Sequence, residues 1–458
     1  MQNNTEEAKP AAGRDPGARG LKKDLGFFAA FTVVVGMVIG SGIFFKPGIV
    51  LRNAGSAGLG IAAWALGGVI TLAAGLTVAE IAAAIPRTGG LYAYLEEIYG
   101  KLWSFLLGWV ETVIYTPGAV AALAIVFATQ LNLFFPMATP AQRAVAIAAI
   151  LLLTGLNILG AKQGGWIQSA ATVGKLVPLA LIIVLGLLRG SGGRLAGPLA
   201  PGGAGLGAAI LSTLWAYDGW VAVTNVAGEV RDPGRLLPRA IIAGLGLVIG
   251  VYIAFNVALL RVLPAGILAA SPTPASDVAN VIFGRTGATI IALGILVSIF
   301  GALNGYILTG ARVPYAMAKA RNFPFADLFG VVHPRFRTPA NALLLEAGLA
   351  ILYVFTGSFN RLTDLAVFAL WIFFVMALAA VYVLRARRPD LPRPYRVPLY
   401  PLVPAVGIFG GLYIISSTLR SNPRDSLFGV GLTVIGVPVY WLVSRTGRRS
   451  GRGPTHPR

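Results

Sequence analysis

Three apolar stretches of this chain hold groups capable of chemistry at depths where lipid would otherwise surround them. The first is Gly40-Ser41-Gly42, in the middle of the run over 26–50. Glycine costs a helix interior about 1 kcal/mol relative to alanine, so the spacing predicts a break there. A break frees backbone N–H and C=O groups that lipid cannot satisfy, so it must line a cavity or be buried in protein. The second is Lys175, about nine residues from one end of the run over 166–188 and about thirteen from the other. At 1.5 Å per residue each interface lies at least roughly 13 Å away, farther than the side chain can snorkel. A lysine held inside acts as a fixed cation or as a proton carrier. The third is Trp215-Ala216-Tyr217-Asp218-Gly219-Trp220, near the centre of the run over 206–228. Asp and Gly both disfavour a helix interior.

Together these groups suggest one kind of ligand. The half-helix after the first break starts at the cavity, so its N–H groups and positive dipole end suit a carboxylate. The half-helices that end at the two breaks present carbonyls, which suit an ammonium group. A zwitterion matches both. Each feature also has a plainer reading. Gly-Ser-Gly is a packing face on another view, since small residues let membrane helices approach. Asp218 alone would be one acid in an aromatic stripe. Glu111, about a third of the way into the run over 102–134, is assigned to packing. The pairing decides between the views, because interrupted segments at corresponding positions of two halves point to a transporter site.

The elements that must hold these groups follow from composition. The chain has 458 residues, 56% hydrophobic and 12% charged, which describes a polytopic membrane protein and not a soluble enzyme. It has no cysteine, so disulfides, thiolate catalysis and Cys-based metal sites are excluded. The two histidines, His333 and His456, lie outside the apolar runs. No cofactor or metal is expected, and a membrane-embedded enzyme lacks its catalytic cluster. Twelve apolar runs are legible, at 26–50, 57–84, 102–134, 141–160, 166–188, 206–228, 239–263, 285–310, 339–357, 362–384, 399–419 and 427–444. With the N-terminus inside, most of the 37 Lys and Arg fall in inner segments, which places both termini in the cytoplasm. The net charge of +20 is then a topology signal and a contact with anionic lipid, not a sign of nucleic acid.

The polar stretch 1–24 lacks the pattern of a secretory signal and reads as a cytoplasmic tail. Residues 25–188 hold five runs and 206–384 hold five more, so the second set must enter from the opposite side, as inverted repeats do. Runs 11 and 12, over 399–444, lie outside both repeats, and 445–458 is a basic cytoplasmic tail. Between runs 2 and 3, Pro86 and Gly89-Gly90 stop the helix, and Leu91 to Tyr99 reads as an amphipathic brace with its tyrosines at the interface.

These residues in this order resemble the amino acid–polyamine–organocation superfamily, and within it the L-type amino acid transporter family with its bacterial serine/threonine exchangers. The likeness rests on Gly40-Ser41-Gly42-Ile43-Phe44, Glu80 with Pro86 and Gly89-Gly90-Leu91-Tyr92, Lys175, and Trp215 to Trp220. Asp232-Pro233 with Leu237-Pro238-Arg239, and Gly301-Ala302-Leu303-Asn304-Gly305 with Arg312-Val313-Pro314, complete it. The resemblance implies an all-α, LeuT-like fold of twelve transmembrane helices, with 5+5 inverted repeats and discontinuous helices 1 and 6. It implies sodium-independent amino acid exchange in the bacterial inner membrane. Carried over by position, Ser41 and Gly42 amides would hold the substrate carboxylate, within a binding stretch that includes Ile39 and Gly40. Carbonyls of Val38, Trp215, Ala216 and Asp218 would hold the amino group. Trp215 would be the lid. The family usually has phenylalanine there, so the tryptophan bears on substrate size. Lys175 would take the place of a bound ion near Gly36 and Ser298, and Tyr252 would be a second gating residue. Animal members join a heavy chain through a cysteine, and this chain has none, so that partner is excluded.

The expectation is therefore an exchanger of small or medium neutral amino acids, such as serine, threonine and alanine, working by alternating access. A proton-coupled symporter using Lys175 is the second reading, and a transport-dead nutrient sensor the third.

Overall fold

Glycine, proline and capping residues divide the apolar sequence into nineteen helices in the computed structural model, which describes residues 26–85, 90–159, 161–190, 204–225 and 230–450. The stretch 1–24, the expected stop at Pro86 and Gly89, and residues 451–458 lie outside the described residues. In order, the helices are α1 (Phe27–Val38), α2 (Gly42–Ala54), α3 (Ala57–Ala84), α4 (Gly90–Tyr99), α5 (Lys101–Val110), α6 (Thr116–Leu131), α7 (Thr139–Leu159) and α8 (Ala161–Arg189). They continue with α9 (Leu206–Ala216), α10 (Ala222–Asn225), α11 (Pro233–Val262), α12 (Ala265–Ala270), α13 (Pro274–Gly310), α14 (Arg312–Lys319) and α15 (Ala326–Phe329). The last four are α16 (Ala340–Thr356), α17 (Phe359–Arg387), α18 (Leu402–Ser421) and α19 (Pro423–Ser450). A π-helical turn over Glu111–Tyr115 joins α5 to α6.

Each of the twelve runs carries helix, and the described residues form no sheet. Among them, eight helices are long and apolar enough to cross a membrane, and nine if the bent pair α1 and α2 counts as one span. Helices α9 and α16 are apolar but shorter. Boundaries moved where proline was read as a stop. Helix α11 starts at Pro233, six residues before the predicted run, because proline at the first helical position gives up an N–H that has no partner there. Helix α19 continues through Arg445 to Ser450, so part of the expected basic tail is helical. Gly284, at φ +66°, separates a short first section of α13 from the section that begins at residue 285, as predicted.

The packing brings the interrupted helices to the centre. Helix α2 lies on α9, α1 on α11, α3 on α11, and α8 on α13. Helices α18 and α19 are the least buried of the candidate spans. Tyr99 donates to the Met376 carbonyl at 3.0 Å, so α4 does brace a neighbour, α17. Its Tyr94 is fully buried, contrary to the interfacial position expected.

A charged clasp closes the Ala84 end of α3. Glu80 is 1% exposed and receives Arg385 Nε at 2.8 Å and Nη2 at 2.7 Å, a bidentate pair. The Val397 amide donates to it at 2.7 Å, and Arg393 Nε lies 3.6 Å away. One carboxylate thus ties α3 to α17 and to the loop before α18. Removing one partner of a buried pair leaves the other charge uncompensated, at about 3–5 kcal/mol. Glu80→Ala should lower the detergent-solubilised melting temperature clearly, whereas Glu80→Gln, which keeps an acceptor, should lose less.

Candidate functional site

Two chain breaks meet at the centre. Helix α1 ends at Val38 and α2 begins at Gly42, with axes 48° apart. Ile39 turns out of the helix at φ −70°, ψ 92°. The facing break follows Ala216, where Gly219 takes φ +98°, a left-handed conformation open to glycine. A Cβ at Gly219 would lie 2.9 Å from the Met37 carbonyl oxygen, and one at Gly42 would lie 2.6 Å from Ala216 Cα. Both glycines are therefore required by the closeness of the two strands of backbone, not only by conformational freedom. Ser41 and Gly42 amides make no backbone hydrogen bond among the described residues. They open α2, and both residues line the cavity between the breaks.

That cavity leaves about 40 Å³ open to a water-sized group. Gly36 to Gly42 form one wall, with Lys175, Trp215, Asp218, Leu123 and Tyr306 around them. The predicted Gly36, Val38, Ile39, Gly40, Ser41, Gly42, Lys175, Trp215 and Asp218 are thus brought together. Ala216 backs Gly42 without lining the space, and Ser298 is buried outside the wall with its hydroxyl unpartnered. Tyr252 is buried behind the breaks.

The carbonyls differ from expectation. Tyr252 Oη lies 2.9 Å from both Val38 O and Ala216 O, so one hydroxyl straps the two helix ends together. Trp215 O accepts the Asp218 amide at 3.3 Å, and Thr213 O the Tyr217 amide at 3.1 Å. Buried carbonyls rarely remain unpaired; here Trp215 O and Thr213 O take backbone amides, while the single Tyr252 hydroxyl proton serves Val38 O and Ala216 O one at a time. Each keeps a second lone pair for a ligand. Lys175 is 6% exposed, and its Nζ donates to the Gly36 carbonyl, tying α8 to α1.

Residues passed over in the sequence complete the site. Tyr115 and Tyr306 both donate to Asp218 Oδ2, the latter at 3.3 Å. The Trp215 ring stacks on Tyr306 at 6.0 Å and 14°, and meets Phe359 edge-on at 6.4 Å. Trp215, expected as a lid, is therefore one of three rings in contact, not a single aromatic. The signal for the tyrosines was present: both lie inside apolar runs, one four residues after Glu111. The π turn at Glu111–Tyr115 carries Tyr115 to Asp218, and such turns recur at functional sites. Helix α17 stands one layer behind the wall, through Phe359, while α8 reaches the cavity through Lys175.

Lys46 was also missed, although it sits four residues beyond Gly42 in the first run. It is fully buried, donates to Thr363 Oγ1 at 2.6 Å and Asp364 Oδ1 at 3.0 Å, and stands 5.2 Å over the Phe359 ring. This ion pair joins α2, beyond the break, to α17 beside the Phe359 and Trp215 rings.

A polytopic helical protein with opposed helix ends converging on a small polar cavity is built as a permease. The chain belongs to the amino acid permease family, whose model matches residues 25–437. It is 42% identical to the serine/threonine exchanger SteT of Bacillus subtilis over 424 residues, 92% of this chain and 97% of that one. It is 33% identical to the human large neutral amino acids transporter small subunit 2, over 96% of this chain and 86% of that one. The Asc-type amino acid transporter 1 of the mouse is also 33% identical, over 92% and 81%.

Proposed function

We propose that this protein carries small and medium neutral L-amino acids, such as serine, threonine and alanine, across the bacterial inner membrane by sodium-independent obligatory exchange. The kinship with a serine/threonine exchanger and with amino acid transporters supports the class. The observation that carries the rest is the central cavity, with unpaired Ser41 and Gly42 amides on one side and helix-end carbonyls on the other. In this reading the substrate carboxylate takes the amides and its ammonium takes the second lone pairs of the carbonyls. Lys175 on the Gly36 carbonyl supplies the positive charge that a sodium ion would otherwise supply. The chain spans the membrane twelve times with both termini cytoplasmic. Residues 25–188 and 206–384 are inverted repeats of a LeuT-like fold, and the helices of runs 1, 2, 6 and 7 rock against those of runs 3, 4, 8 and 9.

Counterflow tests this. Proteoliposomes loaded with unlabelled serine should take up labelled serine with or without sodium, and empty vesicles should not. Uptake into empty vesicles driven by an inward proton gradient would overturn obligatory exchange.

One observation favours that proton-coupled alternative. The only partner of Lys175 is a neutral carbonyl, so loss of its proton leaves no unpaired counter-charge among the described residues. A pH gradient applied to empty vesicles separates the two.

The lid sets size. Trp215 is 5% exposed between Tyr306 and Phe359. Trp215→Phe would open room for a branched side chain, and a methylene or two in an apolar pocket is worth about 1–3 kcal/mol. Leucine should then compete about tenfold better for serine counterflow. Competition unchanged from the wild type would remove Trp215 from the size filter.

A further inference from the structure

We propose that a second cavity, between α17, α18 and α19, binds a small solute carrying a primary ammonium beside an anion, and that its occupant loosens the Lys46 ion pair. The cavity measures about 250 Å³ and is separate from the central one. Arg361 and Asp364 line it from α17, Thr418 and Asn422 from the end of α18, and Asp425 and Ser426 from the start of α19. Leu365 and Phe368 supply an apolar surface.

The lining carries two carboxylates and one guanidinium, and Lys46 behind Asp364 balances the remaining charge, so a ligand that carries both an ammonium and an anion is favoured over an anion alone. Arg361 holds Asp425 through Nε at 2.9 and 3.0 Å and Nη2 at 2.6 Å, and its Nη1 donates to Thr356 O at 2.8 Å. That guanidinium is half exposed and fixed in place, ready for an anion. Asp364 spends Oδ1 on Lys46, while its Oδ2 has no hydrogen bond among the described residues. Ser426 is 1% exposed, and its Oγ is buried without a partner. A buried hydroxyl left unpaired costs about 1–3 kcal/mol, so a built pocket that strands one is suited to a ligand that satisfies it. An ammonium between Asp364 and Ser426, with its anion toward Arg361, would partner both Asp364 Oδ2 and Ser426 Oγ.

Asp364 is the wall shared with the Lys46 contact. Lys46 is fully buried and has that one carboxylate as its counter-charge. A second cation on Asp364 Oδ2 draws on the same negative charge and weakens the hold on Lys46. Buried pairs depend strongly on both partners. Since Lys46 lies on α2 and packs on Phe359, behind the Trp215 lid, the occupant of the outer cavity would favour opening at the central one. Two sources share the required chemistry: a free amino acid, and the phosphatidylethanolamine headgroup.

The test uses the full chain with Ser426→Phe, which fills the cavity and lies outside the central site. In phosphatidylglycerol nanodiscs, labelled serine at saturation should bind twice per wild-type chain and once per variant if the occupant is a free amino acid. In vesicles of rising phosphatidylethanolamine content, wild-type serine counterflow should rise by about fivefold, the lower range of common coupling strengths, and the variant should not respond, if the occupant is the headgroup. One serine per wild-type chain together with lipid-independent flux overturns the proposal, as does a variant identical to wild type in both arms. Asn422→Leu, from the opposite wall, repeats the test should Ser426→Phe fail to fold. The readout rests on the exchange reading, and the two fail differently. Counterflow with a single bound serine and no response to phosphatidylethanolamine sinks the outer cavity, while two bound serines without counterflow sink exchange.

Discussion

Lys175→Ala reduces labelled-serine counterflow by about 10- to 100-fold, because a hydrogen bond to a charged donor is worth about 1.5–3 kcal/mol and each 1.4 kcal/mol is tenfold. The lysine is the one cation in the central wall, and it holds α8 against α1 at Gly36, four residues before the break. Alanine leaves the Gly36 carbonyl unpaired and removes the charge. The variant should remain monodisperse in size-exclusion chromatography, which separates lost transport from lost folding. Lys175→Arg divides the two coupling schemes. Arginine does not deprotonate in proteins, so it can serve as a fixed cation and never as a proton carrier. An exchanger should keep measurable counterflow with arginine, whereas a proton symporter should lose gradient-driven uptake entirely. Wild-type flux in Lys175→Ala would take the residue out of the mechanism.

Gly42→Ala abolishes high-affinity substrate binding while Gly40→Ala, two residues earlier, leaves it close to wild type. The two changes add the same methyl group to the same interrupted segment. At Gly42 the new Cβ lies 2.6 Å from Ala216 Cα and 2.8 Å from its Cβ, and backbone there cannot yield cheaply. At Gly40 the nearest atom is Val38 O at 3.8 Å, an ordinary contact. Overpacking costs about 1–3 kcal/mol, and here it would separate the two breaks whose spacing shapes the cavity. Serine affinity in Gly42→Ala should fall by about tenfold or more, measured as the half-saturating concentration for counterflow. Equal affinities in the two variants would show that the approach of Gly42 to Ala216 does not matter for binding.

The sequence made the groups that polarity exposes easy to find. Gly40 to Gly42, Lys175 and Asp218 stand out because glycine, charge and apolar surroundings conflict, and the structure gathers all of them at one cavity. The twelve runs were equally plain, since hydropathy alone marks them. Tyr115, Tyr306 and Lys46 were harder. A tyrosine in an apolar run is unremarkable until its partner is known, and Asp218 lies 103 residues from Tyr115 in the chain. Lys46 pairs with Asp364 across a sequence separation of 318, which no local pattern encodes. The Tyr252 contacts of the Val38 and Ala216 carbonyls were illegible for the same reason, because that hydroxyl reaches them from another helix. Local conflict shows where a site lies. The groups that close it come from afar and are known once the fold is.

The π turn at Glu111–Tyr115 sets a length rule for its span. It holds one residue more than an α-helical path would need. On one side of it Trp109 Nε1 donates to Leu432 O at 2.9 Å, seating α5 on α19. On the other, Tyr115 meets Asp218 in the second break. Deleting one residue within 111–115 would restore regular α-helical winding with both flanks kept in place, whereas a further residue wound as α-helix would turn one flank against the other by about 100°. Only one of the two contacts would survive such an insertion. This span therefore tolerates the loss of a residue better than the gain of one, and related sequences that keep both contacts should show no insertion across it.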